Sequence, residues 1–361
     1  MHLMKGLKKG LKKGIAALTV TAMAFGMAGC GGGKEDATGS SGSGSGHEDI
    51  TGKIMIYTSM YNDIIENMKT ELKKEFPNLD VEFFQGGTGT LQSKVAAEKD
   101  SGKLGCDILM VAEQSYALEL KDQGMLHPHI FPEADKLAFE YDKEGYWYPV
   151  RALNMVLAYN PEKYKEDEVP HSMKDFAEDE KYKGELSMSD PLTSGSSYCS
   201  MVGLMDKYGD GYFTSLGKQN VTIESGSNAV AKLETGECRA AMILEESILK
   251  KREEENSSLT VIYPEDGSVP IPSPIMIIDE KYSANNNIKA AEAVQEYFLS
   301  PAGQKLIIKG WMYGVRTDME DHPYDSKTLA EMLKNTIPVD YEKCYKQRDE
   351  IRKKFQEAVA R

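Results

Sequence analysis

Ile54-Met-Ile-Tyr57 runs through Thr58-Ser59 into a segment with Ile64, Ile65, Met68 and Leu72 at helical spacing: a strand leading into an amphipathic helix. The step repeats at Val81-Glu-Phe-Phe84, followed by a helix after Gly89, and again at Asp107-Ile-Leu-Met-Val111. Strands separated by helices of this length require right-handed crossovers, so the chain reads as α/β with a mostly parallel sheet. Further on the theme returns in Met155-Val-Leu-Ala-Tyr159, helices from about Ser196 and from about Ser227 to Thr235, and Ala240-Ala-Met-Ile-Leu244. Between the two regions stands Tyr146-Trp-Tyr-Pro-Val-Arg151, and the chain meets a second, proline-rich junction at Pro270-Ile-Pro-Ser-Pro274. Two junctions predict two lobes joined by two crossings, one lobe from 49–149 with 272–361 and the other from 150–271. The helical tail (Ile288 to Phe298, Pro301 to Lys309, about Asp340 to Val359) is expected to pack mainly on the first lobe.

The N-terminal end reads as an address. Lys5, Lys8, Lys9, Lys12 and Lys13 precede an apolar run from Ile15 to Met27, too short for a stable bilayer span, which stops at Ala28-Gly29-Cys30. These residues resemble a bacterial lipobox, which implies a signal peptide over 1–29, lipidation of Cys30 and retention at the outer face of the cell membrane. The Gly/Ser-rich stretch over 30–48 reads as a flexible tether. Roughly 310 residues remain, more than one core usually serves. Removing the five signal lysines takes the formal charge from −14 to about −19, so nucleic acid is excluded as a partner. An anionic ligand is not, because a cleft lined with oriented N–H groups can be locally positive. Cys106, Cys199, Cys238 and Cys344 lie far apart with no CxxC, which argues against zinc and leaves their disulfide state open.

The informative feature is what ends each strand. Ligands of open α/β sheets bind at the carboxyl ends of strands, where helix N-termini present unpaired N–H groups. Those positions read Thr58-Ser59, Gly86-Gly-Thr-Gly-Thr90, Glu113-Gln-Ser115, Thr193-Ser-Gly-Ser-Ser197, Ser225-Gly-Ser-Asn228 and Glu245-Glu-Ser247. Any one alone reads as an ordinary cap or turn; the signal is their recurrence. An anion at one helix N-terminus gains about 0.3 to 2 kcal/mol, whereas micromolar binding needs about 8, so several loops must act together. Enzyme motifs are weak: Ser215-Leu-Gly-Lys218 and Ser247-Ile-Leu-Lys250 match S-x-x-K without K-T-G, and neither a nucleophile elbow, an H-E-x-x-H nor a phosphate-binding P-loop is present. His127-Pro-His129 reads as a solvent-facing proline loop rather than a metal site.

In these segments the chain resembles the solute-binding lipoproteins of bacterial ABC importers, in the branch that includes ferric-ion, phosphonate and sugar-phosphate binders. The residues that carry the resemblance are Tyr57-Thr-Ser59, Gly86-Gly-Thr-Gly89, Cys106-Asp-Ile-Leu-Met110, Asp190-Pro-Leu-Thr-Ser-Gly-Ser196, Gly226-Ser-Asn-Ala-Val230 with Gly236-Glu237, Ser300-Pro-Ala-Gly-Gln304 and Gly314-Val-Arg316. It implies the type 2 periplasmic-binding-protein fold, two α/β lobes closing on ligand about a hinge, as a monomer with no cofactor and no turnover, delivering cargo to a permease driven by a separate ATPase. It also implies that Ser194, Gly195 and Ser196 hold a phosphate or other anion, with Ser227 or Asn228 adding to the same group. Thr58, Ser59, Gly87, Thr88 and Glu113 are then expected on the facing lobe, and Arg151 at the first crossing adds charge to the cradle or braces the hinge. Where iron binders carry two tyrosines this chain has Glu245-Glu246, which favours a phosphate- or phosphonate-bearing metabolite whose hydroxyls or ammonium meet Glu246. A ferric-ion binder using carboxylates and a sensor subunit for a membrane kinase remain the alternatives.

Overall fold

The structure, a computed structural model, describes residues 47–359; the signal segment, Cys30 and nearly all of the tether lie outside them. Three βα steps open the fold: β1 (Gly52–Thr58), α1 (Asn62–Glu75), β2 (Leu79–Gln85), α2 (Thr88–Asp100), β3 (Ile108–Met110) and α3 (Gln114–Asp122), with a short β4 (Leu126–His127). The long β5 (Tyr148–Tyr159) leads to α4 (Met173–Glu178), β6 (Leu186–Ser189), α5 (Gly195–Tyr208), α6 (Gly211–Lys218), β7 (Thr222–Glu224), α7 (Gly226–Thr235), β8 (Ala240–Leu244), α8 (Glu245–Glu255) and β9 (Thr260–Ile262). A second long strand, β10 (Val269–Ile278), returns to α9 (Ile288–Leu299) and α10 (Pro301–Lys309), and the chain ends through α11 (Leu329–Met332), α12 (Tyr341–Lys346) and α13 (Arg348–Val359).

One mixed sheet runs β2-β1-β3-β10-β5-β8-β6-β7, with β4 paired to β10 and β9 to β5. The strands β2, β1 and β3 are mutually parallel, as are β8, β6 and β7; the antiparallel pair β10–β5 stitches the two parallel sets together. The two segments expected as crossings are therefore the two central strands. Prolines are usually confined to sheet edges because they cannot donate to a ladder. Here Pro270 and Pro272 fall on alternate residues opposite Asn154 and Ala152, so the missing N–H groups share one side of the strand and the residues between them keep the ladder to β5. A register shift between Ser273 and Pro274 takes up the third.

The faces follow the sequence pattern. Ile64, Ile65, Met68 and Leu72 of α1 are buried, and all twelve residues of β5 are buried, as a strand covered on both sides requires. The main core runs through both regions across β5 and β10, while Leu91, Val95, Leu109 and Met276 fill a second cluster and Ala229, Leu233, Ala241 and Ile243 a third.

The tail corrects one expectation. Helices α9 and α10 do pack on the first region, against β1, β10 and α1, but α13 packs on α6 of the second, with Phe355 edge-on to Phe213 at 5.4 Å between ring centroids. Between them α12 touches both α3 and α5, so the C-terminal segment straps the two regions rather than belonging to the first.

Candidate functional site

Four helix N-termini converge at the carboxyl ends of the strands. Helix α2 starts at Gly87 and α8 directly after Leu244, both without a side-chain cap; α5 starts at Ser194 and α7 at Ser225, whose hydroxyls accept from Ser197 N at 3.3 Å and Asn228 N at 3.2 Å. Ahead of α5, the N–H groups of Thr193 and Ser194 both donate to Asp190 O, at 3.2 and 2.9 Å, which folds the Pro191 to Ser194 turn before the helix begins. Gly195 and Ser196 lie too early in the helix for an intrahelical acceptor and their N–H groups have no other backbone partner among the described residues. These termini surround a cleft of about 260 Å³, just below the ~300–1,000 Å³ of sites for drug-sized ligands and suited to a small metabolite.

Of the residues singled out in the sequence, Ser59, Gly87, Thr88, Arg151, Ser194, Gly195, Ser196 and Glu246 line this cleft. Arg151 projects from β5, 2% exposed, with Nη2 donating to Ser59 Oγ at 3.0 Å, Nη1 against Met312 sulfur at 2.9 Å and Nε without an acceptor among the described residues. Burial holds its pKa below the usual guanidinium range, while the charge of Glu246 works the other way. Glu246, 7% exposed, has an Oε2 with no hydrogen-bond partner among the described residues. Burial pushes its pKa up to about 7; Arg151 pulls it down and the neighbouring Glu245 pushes it further up. The wall thus holds a fixed cation and, near neutral pH, a carboxyl group able to accept or donate a hydrogen bond.

The other expected residues do not reach the cleft. Thr58 is fully buried and its Oγ1 accepts from Met60 N at 3.2 Å, shaping the loop after β1. Glu113 is also fully buried, bound by Ser115 Oγ at 2.5 Å, Gln92 Nε2 at 3.2 Å and Arg348 Nη2 at 3.1 Å. Its charge is spent on the C-terminal strap rather than offered to a ligand. Glu245 is held by Asn154 Nδ2 at 2.7 Å and by the hydroxyls of Tyr263 and Tyr313, and ties α8 to β5. Ser227 lies on a separate depression with Asn62 and Lys250, and Asn228 is exposed.

Ser225 and Gly226 line the cleft in their place, because the cap and first helical position face the axis end while the next two residues rotate away. That offset was legible in the cap preference of Ser225. Tyr61, Glu224, Asp190 and Ser247 also line the cleft; Asp190 and Ser247 stand inside segments the sequence had marked, whereas no motif signalled Tyr61 or Glu224.

The two regions touch across the rim. Gly89 N donates to Thr193 O at 3.3 Å, and a Cβ built on Gly195 would stand 2.9 Å from Thr88 Cγ2 and 3.0 Å from Glu113 Cβ. Among the described residues no cluster of three or more His, Cys, Asp or Glu could hold a metal, and no helix is long and apolar enough to cross a membrane.

The family model for bacterial extracellular solute-binding proteins matches residues 67–332. The chain belongs to that family. It is accordingly a binding protein, not an enzyme. No curated protein sequence matches this solute-binding protein significantly. Its fold, the type 2 periplasmic-binding-protein fold, is similar to that of AfuA from Actinobacillus pleuropneumoniae with exogenous fructose-6-phosphate bound (TM-score 0.73, 20% identity, 85% of this chain and 98% of that one). It is equally similar to iron-bound HitA from Pseudomonas aeruginosa (TM-score 0.72, 21% identity, 85% and 99%) and to a periplasmic thiamin-binding protein (TM-score 0.72, 18% identity, 89% and 100%). At these identities the likeness carries the fold alone.

Proposed function

We propose that this solute-binding protein captures a small organic phosphate or phosphonate, of the sugar-phosphate or 2-aminoethylphosphonate type, by closure of two lobes, one built from 49–149 with the chain that returns after 272 and the other from 150–271, with the C-terminal helices strapping the two. In this reading it serves an ABC importer from the outer face of the membrane, anchored through Cys30. The observation that carries the proposal is the pairing of opposite chemistries in one small cleft. On one wall are the N–H groups of Gly195 and Ser196, without a partner among the described residues, and the hydroxyls of Ser194 and Ser196; on another the buried Arg151 and a buried carboxyl oxygen of Glu246, which has no hydrogen-bond partner among the described residues, act on one another. Charge-assisted hydrogen bonds of about 1.5 to 3 kcal/mol each, several at once, suffice for micromolar capture. A hydroxyl or ammonium would satisfy Glu246. A ferric ion finds less here: Glu245 is already committed to Asn154, Tyr263 and Tyr313, which leaves one of the two adjacent carboxylates facing the cleft.

A thermal-shift panel of sugar phosphates, aminoalkylphosphonates, inorganic phosphate and ferric salts tests this. At least one organic phosphorus compound raises the melting temperature of the wild type, and Ser194→Ala with Ser196→Ala weakens that ligand at least tenfold by calorimetry. A shift with ferric salt alone, accompanied by a visible absorption band, refutes the phosphorus assignment. Recovery of the bound compound unchanged is the expected end point for a protein without turnover.

A further inference from the structure

The four cysteines among the described residues are all buried, but they are not equivalent. Cys106 has Glu98, Asp107 and Lys94 for charged neighbours, and Cys238 has Glu224, Lys232 and Glu237; neither has a thiol beside it. Cys199 and Cys344, both free thiols in this structure, lie on neighbouring helices. Cys199 lies on the second turn of α5, the helix whose first turn lines the cleft, and Cys344 is in the middle of α12. The two helices are in contact, Tyr198 Oη donates to the Cys344 carbonyl at 2.8 Å, and the two thiols act on one another and jointly on the buried Tyr341 hydroxyl.

We infer that Cys199 and Cys344 are a site of covalent modification, joined as a disulfide when this extracellular chain folds in an oxidising medium. Family membership places the protein outside the cytoplasm, where disulfides persist. The oxidant is a disulfide, either a small molecule or an extracytoplasmic dithiol oxidoreductase. The thiolate of one cysteine attacks it and expels one of its sulfurs as thiolate, giving a mixed disulfide; the thiolate of the other cysteine then attacks the mixed disulfide and expels the second sulfur. The chain loses two protons and two electrons, and the oxidant leaves as two thiols, both on one protein when it is an oxidoreductase. In the folded protein both thiols are fully buried, and burial holds Cys199 well above the ordinary thiol range. The exchange therefore belongs to the stage of folding before α12 docks. Once made, the bond fixes the strap to α5, four residues before Arg348 reaches Glu113 and Glu119 of the first region.

The full chain carrying Cys30→Ser, so that the anchor thiol cannot compete, is unfolded, then refolded with oxidised glutathione or with dithiothreitol. Each sample is alkylated under denaturing conditions and mapped by mass spectrometry without reduction. The oxidised sample yields one linked peptide pair containing Cys199 and Cys344, leaves Cys106 and Cys238 alkylated, and melts about 5–10 °C above the reduced sample. Cys344→Ala loses both the linked pair and the oxidation-dependent shift. Alkylation of all four cysteines in the oxidised sample, or a link through Cys106, Cys238 or a second chain, overturns the inference; the wild-type map decides this even where the variant fails to fold.

Discussion

At the scale of single residues, Glu246 carries the strongest consequence. Its folded pKa of about 7 stands above the ordinary glutamate value of 4.5, so the folded state binds a proton more tightly than the unfolded chain. The resulting stability is fully present below about pH 4.5 and is lost as pH rises through 7, an effect on the order of 3 kcal/mol if the whole shift is expressed. Asp318, held at about 2 by Arg316, titrates below this window and acts with the opposite sign there. Without ligand, the wild type should therefore lose melting temperature between pH 5 and 8, and Glu246→Gln should flatten that decline and exceed the wild type at pH 8. Calorimetric melts across the range check it; parallel curves for the two proteins would mean that Glu246 is solvated. A bound ammonium or hydroxyl does for the carboxylate what the proton does, so the same variant should lose affinity for ligands that carry one.

Among the elements, legibility was uneven for physical reasons. Helix α1 and strand β1 were plain because each buries one regular face, and periodicity reports burial. The place of the α5 N-terminus in the cleft was legible because a strand end followed by small capping residues puts a helix N-terminus at the ligand-binding edge of an α/β sheet. Strand β10 read only as a proline-rich junction, since what permits its prolines is an unpaired side that no local pattern reveals. Glu113 and Glu245 had the composition of ligand residues, but their partners, Arg348 and the pair Tyr263 and Tyr313, come from distant sequence. The strap is where this matters most. Arg348 at the start of α13 pairs with both Glu119 and Glu113, the latter fully buried. Removing one partner of a buried pair typically costs about 3–5 kcal/mol, mostly because the other charge is left stranded. Arg348→Ala is expected to melt well below wild type, with α3 amides exchanging faster with deuterium, and Glu113→Gln in the same chain should recover part of the loss. Additive losses in the double variant would show that the two side chains do not depend on each other.

For the molecule as a whole, the question is how capture couples to closure. Arg151 and Leu153 on β5 line the cleft floor, while its rims come from α2 on one side and α5 on the other. Gly195 sits where those rims meet, and its backbone is free of the positive φ that would demand glycine. Alanine is therefore acceptable to helix α5 by itself, and is unacceptable only when the facing region brings Thr88 Cγ2 and Glu113 Cβ to the 2.9 and 3.0 Å that a Cβ at this position would face. Gly195→Ala should leave the melting temperature of the ligand-free protein within about 2 °C of wild type, because an alanine in a first helical turn costs nothing in propensity. It should at the same time weaken ligand at least tenfold and abolish the ligand-induced decrease in radius of gyration seen by small-angle X-ray scattering. Gly89→Ala, 3.2 Å from Thr193 O across the same contact, should follow in milder form. Tight binding by Gly195→Ala with full compaction would place the closing surface elsewhere. Weak binding with compaction intact would mean that the added Cβ disturbs only the anion at the Gly195 N–H and leaves the rims free to meet.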